Sequence, residues 1–149
     1  MNYTRNLILL CLLLLGLNLK AQNKDSVVVA NATHKFLKAF KDFDWITFKN
    51  CFSKDATIFF PEDYAKRKKG KNEIEAAWKE IFPEFTDSTK KFDLKLLPQN
   101  LLIQLYGNSA VVTFHMGEET KFLARRSLVF IKEKKNWKIV HLHASGLKL

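Results

Sequence analysis

Near the end of the chain His141, His143 and Ser145 stand at alternate positions in a run otherwise made of Val, Ile, Leu and Ala. An extended strand turns every second side chain to the same face, so the three groups should line one side of a sheet. Imidazole titrates near neutrality and can move a proton, hold a metal or donate to an anion. Arg125 and Arg126 lie in the preceding apolar run. As strand neighbours they face opposite sides, and Arg126 is the one expected to join the histidines. Its guanidinium offers a planar fork of donors that matches a carboxylate. Arg126, His141, His143 and Ser145 are therefore expected to wall a polar pocket suited to a carboxylate or a similar anion.

Two other chemistries use the same residues. His141, His143 and a third imidazole, His115, form the kind of set that zinc enzymes employ. Nothing in the sequence brings His115 beside the other two, so no metal is expected, and no cofactor. For acid–base work a carboxylate commonly orients the imidazole, although His141 or His143 could act as a base without one. The strands from Leu94 to Ala144 carry no interior acid: Asp93, Glu118, Glu119 and Glu133 stand at ends or turns. The residues thus lean away from catalysis and toward binding of a small apolar ligand with an anionic group. A small isomerase- or hydratase-type enzyme using His141 or His143 is the alternative, and a homo-oligomeric interaction module is a third reading. His115 and Trp78 are expected to complete the ligand wall, with Tyr64 at its mouth.

The elements that must position these groups can be read from periodicity. From Ser26, the residues Val29, Ala32 or Thr33, Phe36, Leu37, Phe40 and Phe43 recur every three or four positions, which predicts an amphipathic helix. Asp44 can cap a short second helix, Trp45 to Phe52. Ala56 to Phe60 reads as a strand ending at Pro61. Pro61 to Gly70 is a charged loop. Asn72 opens a third helix with Ile74, Ala77, Trp78, Ile81 and Phe82 inward, closed by Pro83. Five apolar runs follow: Phe92 to Leu97, Leu101 to Tyr106, Ala110 to Met116, Phe122 to Ile131 and Trp137 to Ala144, separated by turn residues. Helices first and strands afterwards predict an α+β fold with the helices on one face of the sheet.

A four-residue turn at Glu133 to Asn136 sets Lys132 opposite Trp137, then Phe130/Ile139, Leu128/His141, Arg126/His143 and Ala124/Ser145. The other face would carry Ser127, Val129, Ile131, Val140 and Leu142. Apolar residues there want a partner, so a homodimer through this face is expected, with Val129, Ile131, Val140 and Leu142 as contacts.

At 149 residues the chain suits one domain. Arg5, the apolar run Leu7 to Leu17 and the small residue Ala21 read as a secretory signal peptide, residues 1–21. The run falls short of the roughly 20 residues that span a bilayer. The expectation is export to the periplasm or medium, without stable membrane insertion once the signal is removed, leaving residues 22–149 as the domain. The formal charge of +10 is concentrated at Lys66 to Lys71 and around Lys132 to Lys138. Few aromatic residues are interleaved there, so nucleic acid is not an expected partner. Outside the leader the only cysteine is Cys51, so the core rather than a disulfide must hold the fold.

Several segments bear a resemblance. Asp44-Trp45 followed by Phe52-Ser53-Lys54-Asp55-Ala56-Thr57 is similar to the F-x-x-D-A entry into the first strand of the nuclear transport factor 2-like superfamily, specifically its SnoaL-like members. Gly70 leading into the helix that holds Trp78 fits as well. So do Arg125 to Phe130 and Trp137 to Gly146 as a closing hairpin. The last segment is also similar to the V-H-x-H-x-S-G ending of the calcium/calmodulin-dependent kinase II association domain. However, Leu128 and Ala144 stand where that domain tends to carry arginines, so its acidic ligands do not transfer. The resemblance covers about Val28 to Leu147. It implies a cone-shaped, cystatin-like fold, a curved antiparallel sheet wrapped around a long N-terminal helix. It names no function, because the superfamily holds isomerases, dehydratases, transport factors and binding proteins.

Overall fold

The computed structural model describes residues 24–61, 66–117 and 121–149. The expected leader at 1–21 and Tyr64 lie outside them. Helix α1 occupies residues 24–41. Its apolar positions Val29, Phe36, Leu37 and Phe40 are buried, as the spacing predicts. Thr33 is buried among them and donates its hydroxyl to the Val29 carbonyl at 3.0 Å, so the polar group costs little. The chain turns at Phe43, whose φ of +50° is strained for an aromatic residue but swings its ring into the core.

Helix α2 (Trp45–Lys49) is capped as expected: the Asp44 carboxylate accepts from the Thr47 amide at 3.1 Å. It is shorter than the expected Trp45 to Phe52, because Phe52 already begins strand β1 (Phe52–Phe59). The charged loop contains a two-residue strand β2 (Lys68–Lys69), and α3 runs Gly70–Ile81. Gly70 takes φ +75°, a value that suits glycine at this entry to the helix. Strands β3 (Gln99–Tyr106), β4 (Ser109–Met116), β5 (Phe122–Glu133) and β6 (Asn136–Lys148) complete the chain.

The described strands form one open sheet in the order β2-β1-β6-β5-β4-β3. Neighbours are antiparallel except β1 and β6, which pair in parallel, so the fold is α+β with a mixed sheet. The run Phe92 to Leu97 is not a strand. It packs Leu94 and Leu96 against the core while Leu97 is 74 % exposed, and Pro98 lacks the N–H a further ladder would need.

The hairpin of β5 and β6 departs from regular alternation at one point. Lys132 faces Trp137 and Phe130 faces Ile139, as the turn predicts, but the next pairs are Val129/His141, Leu128/Leu142, Ser127/His143 and Arg126/Ala144. Val140 is an extra residue, a bulge, and it reverses the faces of everything after it. Trp137 and Ile139 before it, and Leu142 and Ala144 after it, are all buried on the helix side. The bulge therefore sinks Leu142 in place of an imidazole. Burying a leucine stabilises by about 1.5–3 kcal/mol, whereas an unpaired buried imidazole costs energy.

Beneath the sheet, aromatic rings do most of the filling. Phe48, fully buried, lies within 6.1 Å of Phe36, Phe40, Trp45, Phe52, Trp78 and Phe85, centroid to centroid. Phe40 meets Phe43, Phe82, Phe85 and Trp78. This cluster ties α1, α2, α3 and β1 together. At the other end Lys132 of β5 donates to both oxygens of Asp25, at 2.8 and 2.9 Å, pinning the start of α1.

Two measurements follow. Phe48→Ala, which deletes a ring at the centre of the cluster, should lower the unfolding free energy by about 3–5 kcal/mol in chemical denaturation. A loss under 1 kcal/mol would mean the cluster is not what joins the helices. His141 Nδ1 lies 2.8 Å from Thr57 Oγ1 across the β1–β6 pairing, and burial, His143 and Arg67 hold its pKa below the ordinary histidine value. The unfolded chain then binds the proton more readily. The stability this group contributes is complete above the unfolded pKa and is lost as the pH falls through it toward the folded value. Melting between pH 7 and pH 5 should fall less steeply in His141→Asn than in the parent chain, and equal slopes would remove His141 from the pH response.

Candidate functional site

A cavity of about 90 Å³ lies between the helices and the sheet. Phe36, Leu37 and Phe40 of α1 and Trp78 and Ile81 of α3 form its roof, with Phe82 just beyond α3. Phe114 and Met116 of β4 and Leu142 and Ala144 of β6 form its floor, while Phe60 and Pro61 close one side. The hollow is small against the usual 300–1,000 Å³ of ligand sites because these rings occupy most of the space.

One charged group enters it. Arg126 of β5 shares the inward face with Leu128 and Phe130 and is half-buried, while Arg125 is exposed on the other side. One nitrogen, Nη1, donates to the carbonyls of Arg125 at 2.8 Å and Ser145 at 3.3 Å. No carboxylate pairs with it among the described residues, and its other nitrogens find no acceptor there. Burial alone pushes its pKa below the ordinary arginine value. A guanidinium stays protonated under any such shift, so it can hold an anion but cannot serve as a base near neutrality. Trp78, in the wall of the cavity, has a buried Nε1 without a hydrogen-bond partner among the described residues.

The expected companions of Arg126 are elsewhere. Because of the bulge, His141, His143 and Ser145 lie on the outer face, and Arg126 is opposite Ala144 rather than His143. His141 is half-buried against Thr57; His143 is exposed; both rings lie near Phe59, at 6.0 and 5.8 Å. Ser145 pairs with Arg125, which on its other side faces His115. His115 is thus two strands away from β6, and no group of three metal-ligating residues exists among the described residues. Trp78 does meet Arg126 at the cavity, and Tyr64 lies outside the described residues.

Leu142, expected on the outer face as a dimer contact, is instead 2 % exposed and lines the cavity. Val129 and Ile131 keep their outward places, and Val140 is the bulge. The wall residues Phe114 and Met116 were open to sequence reasoning through the alternation of β4. Leu142 and Ala144 were not, since nothing in the residue order marks the bulge. Cys51 is a core residue: its thiol donates to the Thr47 carbonyl at 3.4 Å, and burial pushes its pKa up.

Comparisons with known proteins agree on the fold. A protein of the NTF2-like family from Streptomyces avermitilis is similar at a TM-score of 0.71 and 16% identity, over 86% of this chain and 99% of that one. An NTF2-like protein from Pseudomonas putida is similar at a TM-score of 0.69 and 16% identity, over 83% and 87%. The CaMKII hub of S. rosetta is similar at a TM-score of 0.63 and 24% identity, over 80% and 95%. Among curated proteins none matches the sequence. A sequence model of the SnoaL-like domain matches residues 29–148, nearly the whole of the described fold, and the protein belongs to that family.

Proposed function

We propose that the chain is an exported binding protein that takes a small organic anion, apolar apart from its charged group, into the cavity between helices and sheet, and does no chemistry on it. The observation that carries this reading is Arg126, a half-buried cation facing an apolar hollow with no carboxylate among the described residues to balance it. Desolvating a charge costs several kcal/mol unless something pairs with it, so such a site gains most from an anionic guest. The apolar rings would take the guest's body. Catalysis by His141 or His143, the alternative raised by the sequence, has less support, because neither imidazole reaches the cavity. Export rests on the leader-like residues 1–21 alone.

We also propose that two copies pair through the outer face of the sheet. Phe59, Leu102 and Tyr106 are exposed there, and Val129 and Ile131 are half-buried beside them. An apolar sheet face of this kind is a natural isologous contact.

Thermal melting with benzoate and with its neutral counterpart benzamide tests the first proposal. At ten times its dissociation constant benzoate should stabilise by about 1.4 kcal/mol, a rise of roughly 5 °C, and benzamide should do far less. Arg126→Met should melt no lower than the parent without ligand, since it removes a cation that no described carboxylate balances, and should lose the benzoate response. A Met variant that keeps the full response would end the proposal. For the second proposal, sedimentation velocity should give a dimer that Val129→Glu converts to monomer; a parent chain that sediments as a monomer at tens of micromolar would refute it.

A further inference from the structure

A second concavity, about 360 Å³ and four times the volume of the first, opens on the other side of Trp78, between α2, the start of β1 and α3. Its floor is aromatic: Phe48 and Trp78 are buried and Trp45 and Phe52 are half-buried. Its rim carries Lys49, Lys54 and Lys71, one from each of the three elements. None of the three has an ion-pair partner among the described residues. The one carboxylate in the lining, Glu75, is already bound to Lys79 at 2.7 Å, and Lys79 itself lies 5.0 Å above the Trp45 ring. Glu75 also feels Lys49 and Lys71 through space, so the lining carries three lysines against one shared carboxylate and stays net positive around an aromatic floor.

We infer that this groove is a second binding site, for a flat aromatic anion larger than the guest of the inner cavity. A planar ring can lie against the half-buried Trp45 and Phe52, where stacking adds to area burial. The anionic group then faces the lysines. Their side chains are mobile and hydrated, so they recognise charge rather than a fixed geometry, and the attraction weakens with salt. The inference does not rest on the reading of Arg126, since the two concavities share only Trp78.

The three tryptophans make the test direct. Trp45 lines only the groove, Trp78 lines both concavities, and Trp137 lines neither. In the full chain labelled with nitrogen-15, titration with 2-naphthoate should move the indole N–H signals of Trp45 and Trp78 and leave that of Trp137 in place. The double variant Lys54→Ser/Lys71→Ser, in which both residues are exposed and the fold is kept, should bind naphthoate at least about tenfold more weakly. Arg126→Met should bind it as the parent does, and neutral 2-naphthamide should bind more weakly than naphthoate. A Trp45 signal that does not move, equal affinity for the amide, or a loss in Arg126→Met with the lysine variant unaffected would each overturn the site.

Discussion

Strand β6 has a neighbour on each side, and the two run in opposite senses: β5 antiparallel, β1 parallel. It must offer matching donors and acceptors to both while presenting apolar side chains to the helices along its whole length. A strand of 13 residues with strict alternation would have to bury Trp137, Ile139, His141, His143 and Ser145 together. The extra residue at Val140 resolves the conflict by changing parity halfway, so that Trp137 and Ile139 are buried before it and Leu142 and Ala144 after it. The same step gives β1 its place. Thr57, Ile58 and Phe59 pair with His141, Leu142 and His143, which lets Ile58 sink beside Leu142 while Thr57 meets the imidazole of His141. Register between β1 and β6 is therefore set by what the bulge hides, and it carries its own irregularity between Phe52 and Thr57.

The price of an aromatic interior is a small cavity. Rings from four elements meet at Phe40 and Phe48, in edge-to-face and tilted pairs that leave few gaps. What space remains lies toward the β4 and β5 end, where Phe114, Met116 and Arg126 replace a continuous ring stack. Arg126 is tolerated there because two carbonyls accept from it and because its aliphatic stem can lie along apolar neighbours. Trp78 divides the aromatic mass in two, with the cavity on one side and the groove rimmed by lysines on the other. Its indole N–H finds no partner among the described residues, as is also true of the Trp137 indole, whereas the buried hydroxyl of Thr33 is paired within its own helix.

Much of this architecture was legible in the residues. The spacing of Val29, Phe36, Leu37 and Phe40 marked α1, Asp44 marked a cap, and the alternation of Ala110 to Met116 marked β4, because each is a local pattern with a local cause. In the residue order Arg126 is preferred over Arg125 because it would join the histidines; it does take the covered face, through the regular parity of β5, but without them. That parity does not hold on β6. A bulge depends on what the partner strands and helices can accommodate, and His141, His143 and Ser145 look like a row whether or not one residue is looped out. Phe92 to Leu97 misled for a related reason: its composition suits a strand, but the segment is spent on crossing from α3 to β3, packing Leu94 and Leu96 on the way. Lys54 and Lys71 do not stand out as site residues in the sequence, because exposed lysines read as solvent-facing until the groove between their elements is seen.

The reversal on β6 also separates two kinds of chemistry that a regular strand would have combined. With imidazoles beside Arg126 the cavity would hold both an anion anchor and a group able to take a proton. As built, the described lining holds only the anchor, whose protonation does not change near neutrality. A guest can then be selected by charge and fit, while His141 responds to pH on the opposite face, beside Thr57 and Val129. On that face burial and neighbouring cations already disfavour the charged form of His141, and a second copy covering it would disfavour that form further. Proton uptake and the proposed ligand uptake thus act on opposite sides of one sheet, coupled only through the strands that separate them.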